Sequence, residues 1–287
     1  MSTQFTIIIV SYLNGEEIFE TIKSVLAQNE AKRIIIVNNG NSQGIYSKLA
    51  EYESQYPKIK IINSSENIGF GRACNLGASD IFDDNLLFLN PDAVLEKDAL
   101  KKLVPNDFPQ KAIIGGHIKN QDGSEQKGAR RGELTILSAI ISFLGLGKIS
   151  NESSVFHDFN WHRMPLPDEI IEVKNISGAF FTIDAKEFHI LGGFDEKYFL
   201  HVEDIDLCKR MRENGGKVFF NPNSSAIHIG GTSGAPKSFV EWHKYKGFMR
   251  YFWKNYKGFD KILVMIFALP LLIAIFSRLL LSKLRYG

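Results

Sequence analysis

Three acidic residues crowd one short stretch in the second half of the chain, at Glu203, Asp204 and Asp206. Aromatic residues lie just before them, between Phe194 and Phe199, and an aromatic wall raises the pKa of a carboxylate toward that of a useful general base. The same acids suit the first turn of an amphipathic helix, where the helix dipole favours negative charge. The stretch therefore indicates either a catalytic base or the ordinary start of a helix.

A second polar site follows the apolar stretch NLLFLN, at Asn90-Pro91-Asp92, and His228 occurs late in the chain. Taken alone, Asn90-Pro91-Asp92 reads as a turn in which Asp92 bonds local backbone. Carboxylate and imidazole together, however, are ligands that Mg²⁺ or Mn²⁺ accepts alongside diphosphate oxygens. Combined with the acidic pair at 203–204, these residues favour a metal-assisted displacement at a sugar carbon.

The elements that must position these residues alternate between short apolar runs and amphipathic stretches. This alternation predicts βαβ units and a mostly parallel sheet. The predicted strands are 5–10, 33–37, 58–62 and 85–90, and the predicted helices are 16–28, 45–55, 67–79, 95–103 and 134–146, with another from Glu203. Ligands bind at the carboxyl ends of such strands, and these ends are polar or glycine-bearing here. A nucleotide is the expected ligand.

A rival interpretation concerns Gly69-Phe70-Gly71-Arg72, which follows a strand and opens a helix. With Asp92 about 20 residues further on, it approaches the fingerprint of a dinucleotide-binding site, which would make the protein a nicotinamide-dependent dehydrogenase. The third glycine of that fingerprint is missing, and the motif lies in the third βα unit, whereas the fingerprint normally occupies the first. A different nucleotide is favoured.

The bulk composition narrows the class of protein. The chain has 287 residues, 44% of them hydrophobic, which fits one large α/β domain or two small ones. A formal net charge of +2 is too small to indicate nucleic acid as a partner. The two cysteines, Cys74 and Cys208, lie far apart, which indicates a reducing compartment and no disulfide framework.

The two ends of the chain differ. The first residues lack a basic segment and read as a buried strand, not as a signal peptide. Near the other end, residues 262–276 contain no acidic or basic residue. They include Pro270 and have basic residues on both flanks. This pattern favours a helix that lies in the membrane interface over one that crosses it, with a terminal core helix as the alternative.

Between residues 119 and 174 the periodicity fades. The segments 123–132 and 150–167 are expected to be loops over a cleft, and His157, Trp161 and His162 could contact an acceptor there. Ordinary loop residues are the alternative reading of these side chains.

Several motifs, taken in order, resemble those of the inverting GT-A glycosyltransferases of family 2, and within it the rhamnosyltransferase-like and galactofuranosyltransferase-like members. The resemblance covers about residues 5 to 233. It rests on IIIVSY, IIIVNNGNS, NIGFGRACNLG, LFLNPDA, SGAFF, GGFDEKYFLHVEDIDLCKR and the late His228 with GGTS. Each motif alone is weak, but so many in the same order are specific.

The resemblance implies a site residue by residue. Asn38 stands where the family usually has an aspartate that reads the base, and Asp92 matches the retained acid of the metal motif. His228 is similar to a late metal-binding histidine, and Asp204 to the general base, with Glu203 beside it. Gly178, Ala179, Phe194 and Asp195 are expected on the acceptor side. The residues expected at the nucleotide sugar are Ser11, Tyr12, Asn38, Asn39, Gly69, Gly71, Arg72, Asn75 and Asn90.

The resemblance also implies a function and a division of the chain. A GT-A glycosyltransferase domain over residues 1–235, with a nucleotide-binding half at 1–118 and an acceptor half at 119–235, is expected to precede a membrane-associating region at 236–287. The expected reaction transfers a sugar, with dTDP-rhamnose preferred and UDP-sugars open, to a glycan or lipid-linked acceptor at the inner face of the cell membrane. The expected cofactor is Mg²⁺ or Mn²⁺. A scaffold protein that keeps the fold without turnover is the alternative from another class.

Overall fold

The computed structural model describes residues 3–64, 66–106, 108–144, 159–230 and 234–286. Within these residues the strands are β1 (Phe5–Ser11), β2 (Ala31–Asn38), β3 (Ile59–Asn63), β4 (Asn85–Leu89), β5 (Ala93–Leu95), β6 (Ala112–Lys119), β7 (Arg130–Arg131), β8 (Ile171–Glu172), β9 (Asn175–Ile176), β10 (Phe180–Asp184) and β11 (Lys217–His228). The helices are α1 (Glu17–Leu26), α2 (Gln43–Gln55), α3 (Phe70–Ala78), α4 (Ala99–Leu103), α5 (Ile136–Leu144), α6 (Ala185–Ile190), α7 (Glu203–Glu213), α8 (Lys237–Asn255) and α9 (Asp260–Tyr286).

In the described part of the chain, nine strands form one mixed sheet in the order β3-β2-β1-β4-β10-β6-β11-β5, with β8 paired to β11. The first four strands along this order are parallel. Strand β10 is antiparallel to both of its neighbours, whereas β6 and β11 are parallel to each other. The carboxyl ends of β1, β2, β3 and β4 therefore meet at one edge of the sheet.

The first strands are continuous apolar runs because both faces of the sheet are covered. Successive side chains of a strand point to opposite faces. Accordingly, Ile7 and Ile9 belong to one buried cluster with α1, while Ile8 and Val10 belong to a second cluster with α3, α6 and α7. Phe88 lies at the centre of the second cluster, with ring centroids 5.0 to 5.2 Å from three other phenylalanines.

The two last helices pack on each other and build a third buried cluster with the segment before α7. Val264 and Phe267 of α9 contact this cluster together with Phe248 and Phe252 of α8. The opposite face of α9 remains exposed and apolar. No helix in the described residues is long and apolar enough to cross a membrane.

Most predicted elements are present, with two differences. The helix predicted over 95–103 begins only at Ala99, because residues 93–95 form β5 against β11. The segment 123–132, predicted as a loop, contains β7, which pairs with β9. Residues 145–158, with His157, and residues 231–233 of the GGTS motif lie outside the described residues.

Candidate active site

A cavity of about 730 Å³ lies where the carboxyl ends of β1, β2 and β4 meet the first turns of α3, α7 and α8. Each of these elements contributes to its wall. The predicted site residues that line it are Tyr12, Asn39, Gly69, Asn90, Asp92, Gly178, Ala179, Glu203, Asp204 and His228. The fold therefore brings Asp92 together with Asp204 and His228, each of which lies more than a hundred positions further along the sequence.

Asp92 and His228 meet because β5 pairs with the end of β11. The register places His228 opposite Ala93, the residue after Asp92. As a result, His228 Nε2 lies 2.9 Å from Asp92 Oδ1 and 3.1 Å from Asn90 Nδ2. The second oxygen of Asp92 accepts a hydrogen bond from the backbone N–H of Gly230 at 3.1 Å. Both side chains are largely buried in the wall of the cavity.

Gln126 fixes the ring of His228. Its Nε2 donates to the His228 carbonyl at 3.2 Å and to Asn120 Oδ1 at 3.3 Å, which turns its Oε1 toward His228 Nδ1 at 2.5 Å. The Nδ1–H group then donates to Gln126, so Nε2 is the nitrogen that faces the carboxylate of Asp92 and on which a cation could replace a proton. A nitrogen lone pair beside a carboxylate oxygen, with the ring oriented through its other nitrogen, suits a divalent cation. No three His, Cys, Asp or Glu side chains group as a metal site in the described part of the chain. Asp92 and His228 therefore fit the implied metal as two of its ligands, with the remaining ligands left to a diphosphate.

Asp204 occupies the first turn of α7 and is 8% exposed. Its Oδ2 accepts from Arg131 Nη1 and from the backbone N–H of Gly178, each at 2.9 Å. Its Oδ1 accepts from the backbone N–H of Ile205 at 2.8 Å. These donors hold the carboxylate in one orientation at the wall of the cavity, as a proton acceptor requires.

Glu203 differs from its neighbour. It is 5% exposed, and its Oε2 has no hydrogen-bond partner in the described structure. Burial raises the pKa of Glu203, and the adjacent Asp204 carboxylate raises it further. An acid in this setting is protonated at neutral pH. The two consecutive acids therefore differ. Asp204 forms an ion pair with Arg131, whereas Glu203 is neutral and its Oε2 has no hydrogen-bond partner in the described structure.

The predicted nucleotide residues divide into cavity-lining residues and supporting residues. Ser11 and Asn38 lie beneath the cavity, where both bond Asn41, and Asn38 also donates to Asn63 Oδ1 at 2.6 Å. Asn39 lines the cavity and bonds Asn67, which also lines it, at 3.0 Å. The loop after β2 is thus held by an amide network.

The residues predicted on α3 hold that helix against the segment 194–196, and neither Phe194 nor Asp195, which are predicted on the acceptor side, is among the described residues that line the cavity. Gly71 lies against Phe194, where a Cβ would be 3.1 Å from the Cβ of Phe194. Asn75 bonds both backbone groups of Phe194, at 2.8 and 2.9 Å, and Arg72 pairs with Glu196 at 3.0 Å. Gly71, Arg72 and Asn75 are therefore placed to orient α3, not to line the cavity. Asp195 binds cations of α8.

Sequence reasoning missed several residues of this site. Arg131 reads as part of a basic loop, and only the pairing of β7 with β9 brings it to Asp204. Gln126 carries no signal at all in the sequence. Phe239 and Val240 of α8 also line the cavity, although the sequence predicts residues 236–287 as a membrane-associating region. Neither Trp161 nor His162 is among the described residues that line it.

Comparison with known proteins adds to this geometry. The family model for "Glycosyl transferase family 2" matches residues 6–164. An N-acetylglucosaminyl-diphospho-decaprenol L-rhamnosyltransferase of Mycobacterium tuberculosis is 23% identical over 242 residues, covering 79% of this chain and 76% of that protein. Rhamnosyltransferase WbbL of Escherichia coli is 28% identical over 241 residues, covering 77% of this chain and 82% of that one.

Solved structures share the fold. GalNAc-T7 with UDP, GalNAc and Mn²⁺ superposes with a TM-score of 0.63 at 17% identity, over 87% of this chain and 47% of that chain. This chain thus spans about half the length of GalNAc-T7. The mannosyltransferase PcManGT from Pyrobaculum calidifontis, in complex with GDP-Man and Mn²⁺, gives a TM-score of 0.61 at 12% identity, over 99% of this chain and 79% of that chain. These similarities confirm the expected GT-A fold.

Proposed function

Because the chain belongs to glycosyl transferase family 2, we propose that it is an inverting, metal-dependent glycosyltransferase that moves rhamnose from dTDP-rhamnose to a glycan or lipid-linked acceptor. Such a reaction belongs to the synthesis of a cell-surface polysaccharide. The observation that carries the proposal is the meeting of Asp92, His228 and Asp204 at one cavity. The names of the rhamnosyltransferase relatives support the choice of sugar.

The donor nucleotide would occupy the strand ends. Tyr12, Asn39 and Asn90 line this part of the cavity, while Ser11 and Asn38 hold the loop beneath it. Gly69 also lines this part of the cavity, and only glycine fits its position. Its φ is 90°, and a Cβ there would lie 2.8 Å from the carbonyl oxygen of Phe199.

Asp92 and His228 would hold the divalent ion, Mg²⁺ or Mn²⁺. When bound, such an ion neutralises the charge that develops on a departing diphosphate. Gln126 contributes by keeping the proton of His228 on Nδ1, so that Nε2 is available as a ligand.

Asp204 would act as the general base. It removes the proton of an acceptor hydroxyl, whose oxygen attacks the anomeric carbon from the side opposite the diphosphate. The new carbon–oxygen bond forms as the bond to the diphosphate breaks, and the configuration inverts. The proton passes to Asp204, and the bonding electron pair leaves with the diphosphate. Glu203, neutral and buried in the first turn of α7, is already protonated and does not accept that proton.

The test of this assignment is Asp204→Asn, with Glu213→Gln as control because Glu213 lies on the same helix and is exposed. Turnover is expected to fall by about 10²- to 10⁴-fold, measured as release of nucleoside diphosphate, while thermal stabilisation by dTDP stays as in the wild type. Retained turnover in Asp204→Asn contradicts the assignment.

The donor and the metal are tested together by thermal stabilisation with UDP, dTDP, GDP and NAD, each with and without Mn²⁺. A ligand at 100 times its Kd adds about 2.7 kcal/mol. A Mn²⁺-dependent shift with dTDP is expected, and it should disappear in His228→Ala. A shift with NAD alone would indicate a dehydrogenase, and no shift with any nucleotide would favour a scaffold protein.

The membrane part of the proposal rests on the exposed face of α9. Large apolar side chains remain exposed along it: Phe259 at 89%, Ile262 at 45%, Ile266 at 66%, Leu269 at 63% and Ile273 at 60%. Trp253 and Lys261 lie at one end of this face, with the ammonium group 4.5 Å from the indole ring. An apolar face with tryptophan and lysine at its border suits the interface of an anionic leaflet. We therefore place residues 236–287 at the inner face of the cell membrane, beside a catalytic domain over residues 1–235.

Vesicle binding tests this placement. Ile266→Glu combined with Leu269→Glu is expected to abolish co-sedimentation with anionic vesicles. Ile190→Glu is the matched control, because Ile190 is 65% exposed on a distant helix. Equal vesicle binding by both variants would contradict the placement.

A further inference from the structure

The turn that leads into α7 has an unusual backbone. His201 and Val202 have φ angles of 68° and 74°, and neither is glycine. A β-branched residue in this region is an outlier, and such conformations persist only where the surrounding structure imposes them. The turn immediately precedes Glu203 and Asp204, so its conformation sets the direction in which the proposed base points.

Helix α8 lies directly on this turn at Gly247. A Cβ at Gly247 would lie 2.8 Å from the carbonyl oxygen of His201 and 3.0 Å from Val202 Cγ2. Glycine inside a helix is unfavourable by itself, and here its lack of a side chain is what allows the two backbones to approach. Gly247 is buried, and Val202 belongs to the cluster that α8 and α9 build.

Ion pairs tie both sides of the turn to the same helix. Arg250 binds both oxygens of Asp195, at 2.9 and 2.7 Å, and its guanidinium lies 5.2 Å from the ring of Tyr198. Lys254 bridges Asp195 at 3.0 Å and the buried Asp206 at 2.6 Å. Asp195 precedes the turn and Asp206 follows it, so α8 holds the segment on either side.

An aromatic contact adds a third point of attachment. The ring of Phe199 lies 4.4 Å from His243 and 5.7 Å from Phe239, both on α8. The carbonyl of Phe199 accepts from the backbone N–H of Phe70 at 2.9 Å, at the start of α3. The turn is therefore held between α8 and the helix on the donor side of the cavity.

From these contacts we propose that Gly247 is a positioning residue, and that α8 fixes the His201–Val202 turn so that Asp204 faces the acceptor. The proposal rests on the role proposed for Asp204. It gives the face of α8 that carries Gly247 a role in supporting the site, in addition to any role of the helix in attachment to a membrane.

The test compares Gly247→Ala with Lys246→Ala, an exposed neighbour on the same helix. If Gly247 only weakens its helix, alanine strengthens α8 and changes nothing in the site. If it positions the turn, kcat falls at least tenfold in Gly247→Ala while the KM for the donor stays unchanged. Amide hydrogen exchange in residues 199–206 then also accelerates at least tenfold, and Lys246→Ala shows neither change.

The exchange measurement separates this proposal from the proposed function. Wild-type exchange in residues 199–206 of Gly247→Ala overturns it, and so does an unchanged kcat. Absence of turnover in the wild type would count against the proposed function alone, because the exchange result stands without activity. If Gly247→Ala does not fold, Arg250→Met replaces it, since methionine keeps much of the length of the side chain but loses both hydrogen bonds that Arg250 Nη2 donates to Asp195. Faster exchange confined to residues 195–206 is then expected, and unchanged exchange overturns the proposal.

Discussion

Replacement of Glu203 by glutamine gives a sharp test of the electrostatics at the start of α7. Burial, and then the charge of Asp204, raise the pKa of Glu203, so the folded protein keeps its proton at pH values where the unfolded chain has lost it. Glutamine has the same shape and cannot ionise. The variant therefore removes the pH dependence that arises from this one group and leaves every other titrating residue in place.

The sign and size of the effect follow from linkage. An unfolded glutamate titrates at about 4.3, and above that pH the folded state binds one proton more than the unfolded state. The free energy of unfolding of the wild type then falls as pH rises, by at most about 1.4 kcal/mol per pH unit relative to Glu203→Gln, until the pH reaches the raised pKa. Between pH 5 and pH 7 the wild type should lose about 2–3 kcal/mol relative to the variant, or about 4–6 °C in Tm at about 2 °C per kcal/mol.

Thermal unfolding of both proteins in steps of pH measures this difference directly. Glu213→Gln is the control, since Glu213 is exposed on the same helix and its replacement should leave the two curves parallel. Parallel curves for the wild type and Glu203→Gln would refute the reasoning. The same variant separates the two candidate bases, because Glu203→Gln should keep turnover if Asp204 takes the proton.

Two further changes test the scaffold beneath the site. Phe88→Ala should lower the free energy of unfolding by about 3–5 kcal/mol, because Phe88 is fully buried and its ring stacks on Phe181 at 5.0 Å. Urea denaturation measures the loss, and a change below about 1 kcal/mol contradicts the packing. Asp84→Asn should lower the free energy of unfolding by about 1–3 kcal/mol at pH 7. Burial raises the pKa of Asp84, but hydrogen bonds, chiefly from Lys32 and Arg33, outweigh burial and hold that pKa at about 2. A carboxylate with a lowered pKa stabilises above its ordinary value, so the cost should shrink as pH falls from about 4 to about 2, and a cost independent of pH would contradict the pairing.

The first half of the fold is predictable because its signals are local. Runs such as FTIIIV are buried on both faces, and the amphipathic stretch that becomes α1 follows at the expected distance. The strand at residues 93–95 was missed because three residues carry no periodicity, and only its partner β11, far along the chain, makes it a strand. The antiparallel insertion of β10 between β4 and β6 is equally invisible in the sequence, since it depends on pairings across long separations.

The candidate site shows the same division. Residue type and the resemblance both predict Asp92 and His228 as metal ligands, and the structure supplies a contact of 2.9 Å that no spacing in the sequence could reveal. Residue type alone also treated Glu203 and Asp204 as equivalent acids. They differ because Arg131 reaches Asp204 from β7, while Oε2 of Glu203 has no hydrogen-bond partner in the described structure. Long-range placement therefore decides which acid can accept a proton.

The C-terminal region illustrates why a composition-based interpretation was incomplete. Apolar residues on α9 indicate attachment to a surface, but Val264, Phe267 and Leu271 are buried in the cluster that α9 forms with α8. Helix α8 in turn contacts the turn before α7 at Gly247, where a side chain would collide with the His201 carbonyl. The helical pair of α8 and α9 thus has one exposed apolar face, on α9, and one buried face, on α8, that contacts the turn before the proposed base. Whatever binds the outer face of α9 acts on a structure whose inner face reaches, through α8, the turn that precedes Glu203 and the proposed base.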